Sequence, residues 1–243
     1  MEHYDEYHDR VQWKPSEKLH TWVAVRIIRE FAKRSGIQGK SVLEIGSGTG
    51  RLARALHTGG ISNYNGVEPN SRLANSSRMQ GFDISEEELP TLPANFQNKF
   101  DRVISLHVIE HAPTYLDART WLEEMIRVTK PGGYILVATP DVLDYQEFFW
   151  DSDWSHGYPT TPARVAQIFN DLKADVKFSG SMHLGSTTVI AAVIAHAISF
   201  LIPTRPVDFL TKKMVNRPLA SGLEIALLWG LTIVIVQKRT ETI

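Results

Sequence analysis

Ser41-Val42-Leu43-Glu44-Ile45-Gly46-Ser47-Gly48-Thr49-Gly50 sets an acid near the end of a short apolar run and then alternates three glycines. Glycines between a strand and a helix let the backbone approach a ligand without an intervening Cβ, next to the amides that open the helix. A dinucleotide-binding turn would need glycine or alanine where Arg51 stands. A carboxylate at Glu44 would repel a pyrophosphate and would tolerate or attract a cationic sulfonium amino acid. Further on, Glu68 follows a second strand candidate, Asn63–Val67. In nucleotide-binding α/β units an acid at that place accepts from both ribose hydroxyls. Alone, Glu68 reads as a surface loop residue; paired with the glycine turn, it reads as the ribose acceptor.

Two other clusters carry chemistry. His107 to His111 spell H-x-x-E-H, a zinc-protease pattern. That pattern needs both histidines on one helix face plus a third ligand, whereas here it leaves a strand directly and meets Pro113. No metal site is expected from it. Asp141, Asp144, Tyr145, Phe148, Phe149, Trp150, Asp151, Asp153, Trp154, His156 and Tyr158 make an aromatic, acidic loop. Such a loop suits a small polar substrate with apolar faces, or a lid packed on the protein itself. Asp153 and His156 form its candidate acid–base pair. For a hydroxyl acceptor, His107, His111 and His156 are the candidate bases, His being suited near neutral pH.

The segments Glu44–Gly50, Gly66-Val67-Glu68-Pro69, Lys99–Ser105, His107–His111, Val128–Val137 and Thr139-Pro140-Asp141 together resemble the class I S-adenosylmethionine-dependent methyltransferases. The likeness covers residues 41–141, weakens to about 178, and is nearest to small-molecule enzymes of the ubiquinone-biosynthesis and saccharide-modifying kind. It implies a doubly wound α/β fold: a seven-stranded, mostly parallel sheet with helices on both faces and an antiparallel last strand. It implies S-adenosylmethionine held by Glu44, Gly46, Ser47, Gly48, Gly50, Glu68 and Pro69. Ser85 and Glu86 would lie at the adenine, although a solvated acidic loop is an equal reading of Glu86-Glu87-Glu88. Leu106 and His107 would lie beside the methionine part, with His111 near the mouth of the substrate pocket.

The elements that must position these groups can be read from periodicity. Leu19, Trp22, Val23, Ile27 and Phe31 predict an amphipathic helix that starts at Pro15-Ser16 and ends near Gly36. Thr114 with Asp117 predicts a capped helix carrying Leu116, Trp121, Leu122, Met125 and Ile126. Pro131-Gly132-Gly133 predicts a turn into the strand Tyr134–Ala138. Thr161-Pro162 caps another helix. From Phe178 to Thr204 there is no charged residue, and a second apolar run follows from Leu223 to Val236. Both are short for a membrane span. They predict an apolar helical insert that covers the substrate pocket, binds another subunit or rests on a membrane, followed by a closing edge strand, Leu231–Val236. Peripheral membrane contact through 187–202 and 223–236 is the alternative.

The domain reading is therefore an N-terminal helical segment and candidate lid (1–36), a Rossmann-like donor-binding domain (37–180), the apolar insert (181–222), and the closing strand and tail (223–243). A net charge of −1 argues against a nucleic-acid partner, and the absence of cysteine removes thiolate metal sites and disulfides. The N-terminus lacks a signal pattern, so a cytoplasmic location is expected. The expected function is methyl transfer from S-adenosylmethionine to O or N of a small molecule or saccharide. The rivals are a nicotinamide-dependent oxidoreductase, which Arg51 disfavours, and a non-catalytic nucleoside-binding module.

Overall fold

The computed structural model describes residues 14–183 and 230–240 of the chain. Strands β1 (Val42–Ile45), β2 (Tyr64–Val67), β3 (Ile84–Ser85), β4 (Phe100–Leu106), β5 (Thr129–Pro140), β6 (Asp175–His183) and β7 (Gly230–Gln237) form one sheet. Their order is 3-2-1-4-5-7-6. The first five are parallel, and β7 runs antiparallel to both β5 and β6. The chain winds outward from β1 to β3 and then returns to place β4 on the other side of β1. That reversal opens a crevice at the carboxyl ends of β1 and β4, where such sheets bind ligands.

Helices α1 (Lys14–Ser35), α2 (Arg51–Thr58), α3 (Ser71–Arg78), α4 (Tyr115–Val128), α5 (Val142–Tyr145), α6 (Phe148–Ser152) and α7 (Pro162–Asp171) surround the sheet. Two cores result. Val23, Ile27, Ile28 and Phe31 of α1 and Leu52, Ala53 and Leu56 of α2 pack with Val42, Ile104, Leu136 and Ile235. Ala118, Leu122 and Met125 of α4 and Val165 and Phe169 of α7 pack with Leu43, Val103, Ile135 and Val234. Adjacent strand residues thus enter opposite cores, as the two-residue period requires, and the apolar run of each central strand is used on both faces.

The helix starts follow side-chain chemistry. Thr114 accepts from the Asp117 amide and Thr161 from the Arg164 amide, with Pro162 at the first helical position. Asn70 accepts from the Leu73 amide to start α3 directly after Glu68. Each such cap is worth about 1 kcal/mol.

Several details differ from expectation. Trp22 is half exposed, with the Arg26 guanidinium over its ring, because the apolar stripe of α1 runs through Val23 and Ala24 instead. Pro131-Gly132-Gly133 lies inside β5, where Gly132 takes φ +75 at an irregular strand start. β7 is an inner strand; the edge is β6. Leu231 to Val236 are all buried and therefore need partners on both sides, whereas β6 carries Asp175, Lys177, Ser179 and Ser181, which suit an edge. The Gly230–Val236 part of the second apolar run is consequently buried inside the sheet. Among the described residues no helix is long and apolar enough to cross a membrane. Of the insert expected at 181–222, residues 181–183 belong to β6; residues 184–222, the 223–229 part of the second apolar run and residues 1–13 of the N-terminal segment lie outside the described residues.

Candidate donor and acceptor sites

The glycine turn begins where β1 ends. Gly46 has φ +75, and a Cβ there would stand 2.4 Å from Val108 Cγ2, so the turn packs directly on the segment that follows β4. Gly48 has φ +52, and a Cβ there would meet nothing within 4 Å. The turn is closed on its protein side and open at Gly48, as a backbone cradle requires.

Glu68 ties this turn to the end of β2. The Gly48 N–H donates to Oε2 at 2.8 Å and the Asn70 N–H to Oε1 at 3.0 Å. Each oxygen keeps a further lone pair for an incoming hydroxyl. Burial raises the carboxyl's pKa, and the Asn70 and Gly48 amides oppose that rise.

Glu44 does something the sequence reading missed. The Tyr64 hydroxyl donates to its Oε2 at 2.5 Å, and only 4% of the residue is exposed. Burial pushes the carboxyl up to about 8; the Tyr64 bond lowers it and the nearby Glu68 adds to the rise. Desolvation thus favours the neutral form of Glu44 in the folded chain. Glu44 instead bridges β1 and β2. Gly66 stands opposite it in the ladder, and a Cβ on Gly66 would lie 2.9 Å from the Tyr64 hydroxyl oxygen.

Ser47 is buried beneath the turn and Gly50 closes it onto Ser77, whose Oγ would stand 3.0 Å from a Cβ at Gly50. Ser85 ends β3, its carbonyl accepting from the Glu68 amide at 3.0 Å. The Glu86 carboxylate is directed to α3, accepting from Ser71 Oγ at 2.6 Å and pairing with Arg78. An open cleft of about 370 Å³ beside the end of β2 is lined by Pro69, Glu86, Glu87, Glu88, Leu89 and Thr91.

On the other side of β1, Leu106 ends β4 half-buried, and His107 turns out of the strand with φ +56. Its amide donates to Ala138 O at 2.8 Å, and its ring Nδ1 lies 3.3 Å from Glu110 Oε1. Glu110 is buried and accepts from Thr139 Oγ1 at 2.8 Å. Burial raises its pKa, but the His107 bond and the charges of His107 and His111 outweigh this and leave it lowered. H-x-x-E-H therefore spans a strand end and a single 3₁₀ turn, Ile109–His111, not one helix face.

His156 arrives from the distant loop. Gly157 makes this feasible, since a Cβ there would stand 2.7 Å from Ala112 O, and the Tyr158 amide donates to Glu110 O at 3.0 Å. The rings of His111 and His156 are 4.9 Å apart. His111 Nδ1 is 2.9 Å from Ser155 Oγ, which donates to Asp153 Oδ1 at 2.6 Å. His156 Nδ1 is 2.5 Å from Phe149 O. Asp153 is thus joined to the ring of His111 through Ser155, and its charge also acts on His156. Burial lowers the His111 pKa, against the raising influence of Glu110 and Asp153. Asp153 is held below the usual range: burial raises it, and two Ser155 hydrogen bonds outweigh that. The aromatic loop divides, with Tyr145, Phe149 and Tyr158 buried and Trp150 and Trp154 exposed. Glu110, Ser155, Val108 and Tyr64 are the site residues sequence reasoning passed over. Of these only Glu110 had a signal, inside a motif weighed for zinc and set aside.

A sheet of this order with a glycine turn after β1, a buried acid at the end of β2 and a crevice at the switch point is the architecture of nucleotide-binding α/β domains. Residues 17–174 match a family model described as a methyltransferase domain. The chain is 31% identical over 115 residues to an uncharacterized methyltransferase of Mycobacteroides abscessus, covering 44% of this chain and 42% of that protein. It is 24% identical over 136 residues to a ubiquinone biosynthesis O-methyltransferase of Alkalilimnicola ehrlichii, covering 52% and 53%. The chain spans about half the length of the curated relatives it matches. A SAM-dependent methyltransferase of Archaeoglobus fulgidus superposes with TM-score 0.61 at 20% identity, over 97% of this chain and 99% of that one. A methyltransferase of Haloferax volcanii in complex with the Trm112 activator gives TM-score 0.66 at 16% identity, over 92% and 93%. The chain belongs to the class I S-adenosylmethionine-dependent methyltransferase family. Its residues fit that family's donor: the approach at Gly48 is open, Glu68 keeps lone pairs that a hydroxyl could use, and a cleft adjoins Pro69.

Proposed function

We propose that the chain transfers a methyl group from S-adenosylmethionine to an oxygen or nitrogen of a small molecule or saccharide. The observation that carries this is Glu68. One carboxylate, fixed by the amides of Gly48 and Asn70, organises both the glycine turn and the end of β2 for a ribose. When bound, the donor supplies an activated methyl on a sulfonium, which leaves as a neutral thioether.

The chain's residues then have alignment, water exclusion and proton removal to perform. Glu110 orients His107. Its carboxylate accepts from Nδ1, which leaves the Nε2 lone pair on the half-exposed ring to take a proton from an acceptor hydroxyl. Trp150 and Trp154, 50% and 77% exposed on the loop after β5, offer faces for an apolar or sugar surface. The ubiquinone relative named above, and a fatty-acid O-methyltransferase of Mycolicibacterium smegmatis 30% identical over 126 residues, are in keeping with a small acceptor oxygen. The test is radiolabelled methyl incorporation from S-adenosylmethionine into extract fractions. Label in a small-molecule fraction, lost in His107→Ala, supports the reading; label only in protein or nucleic acid refutes it.

A further inference from the structure

We propose that Glu110, His111 and His156 form a binding site for one divalent first-row transition-metal ion. One ligand-capable atom from each of the three lies within 4.8 Å of the others, close enough that side-chain movements of about 1 Å bring all three onto a single ion at bond lengths of about 2.1 Å. The carboxylate is 1% exposed, which places an anionic ligand in a low-dielectric position where a cation compensates it.

The hydrogen bonds behind the rings set their tautomers. Ser155 Oγ–H donates to Asp153 Oδ1, so Ser155 Oγ can only accept from His111. Nδ1 of His111 therefore carries the ring proton, and the lone pair sits on Nε2. Phe149 O is also purely an acceptor, which gives His156 the same tautomer. Two imidazoles, each anchored through Nδ1–H to an oxygen, are the arrangement by which proteins orient metal-ligating histidines. Thr139 Oγ1 holds the carboxylate in turn. Two imidazoles and one carboxylate suit zinc, iron or manganese rather than calcium or magnesium, and three protein ligands leave positions open for water or an acceptor oxygen.

This set differs from the H-x-x-E-H pattern. His107 is not a ligand, and the third ligand comes from beyond β5. Ion binding is read here without turnover, so it stands or falls separately from the methyl acceptor.

The full chain, stripped with a chelator and dialysed, is titrated with Zn²⁺ and with Mn²⁺ by calorimetry. One equivalent of a saturating ion is expected, with affinity falling at least about tenfold in His111→Gln and in His156→Gln. Ser155→Ala, which removes the hydroxyl that links His111 to Asp153 and leaves every proposed ligand in place, is expected to lose about tenfold. His57→Ala, on the exposed end of α2, should bind as the parent does. Absence of saturable binding by either ion overturns the site, as does parent-like affinity in the His111→Gln/His156→Gln double variant or an equal loss in His57→Ala. Co²⁺ absorption of the unmodified chain gives a reading independent of how the variants fold. A one-to-one protein-bound spectrum displaced by Zn²⁺ supports the site, and a purely aqueous-ion spectrum overturns it.

Discussion

Replacing Glu44 by Gln tests whether the acid in the glycine motif is a charge or a neutral bridge. The carboxyl's pKa is raised from 4.5 to about 8 in the folded chain. Between those values the folded state holds a proton that the unfolded state has released, so this group's contribution to stability falls as pH rises. It is complete below pH 4.5 and is lost progressively toward pH 8. Each pH unit inside that window is worth about 1.36 kcal/mol. From pH 5.5 to 7.5 the upper bound is therefore about 2.7 kcal/mol, and relaxation around the ionised group reduces it to an expected 1–2 kcal/mol, roughly. Gln keeps an acceptor for the Tyr64 hydroxyl, which now lies 2.5 Å from the carboxyl, and does not titrate. Urea unfolding of parent and variant at pH 5.5, 6.5 and 7.5 reads the difference, with the variant gaining on the parent at each step. A difference constant across the three pH values would refute the neutral-bridge reasoning.

Three further outcomes follow from the donor site. Glu68→Ala should weaken S-adenosylmethionine binding by about 1–3 kcal/mol through lost ribose hydrogen bonds, read by calorimetry; equal affinity would remove Glu68 from the ribose. Gly48→Asp should abolish donor binding while thermal unfolding stays near the parent's, because Asp tolerates the left-handed backbone and its side chain meets only the crevice. Gly46→Ala should lower stability by about 1–3 kcal/mol, since the new methyl collides with Val108 Cγ2; an unchanged urea midpoint would show that Val108 yields freely.

The strand–turn–helix of the donor site was legible because each part has a local signature: an apolar strand, glycines where φ is positive, and an acid at the next strand's end. Thr114, Thr161 and Pro162 likewise announced their helices by capping chemistry that needs no tertiary partner. Trp22 failed because a single exposed ring is set by which of two adjacent apolar positions faces the sheet. β7 failed as an edge because pairing partners are non-local: its uniform apolarity pointed to an inner place, but β6 had not been recognised as the strand to flank it. The surroundings of Glu44 were not legible, because the sequence reports a carboxyl and not its burial beside Tyr64 opposite Gly66. The acceptor side was hardest to read. Glu110 and His156 meet only because Gly157 lets the loop after β5 close on the Ala112 carbonyl, a contact that no residue spacing encodes.

The central claim, that the crevice holds a sulfonium nucleoside through Gly48 and Glu68, is tested most directly by calorimetric titration of the full chain with S-adenosylmethionine, S-adenosylhomocysteine and NAD. Saturable binding of both sulfur nucleosides and none of NAD is predicted. Binding of NAD with failure of both sulfur nucleosides would contradict it.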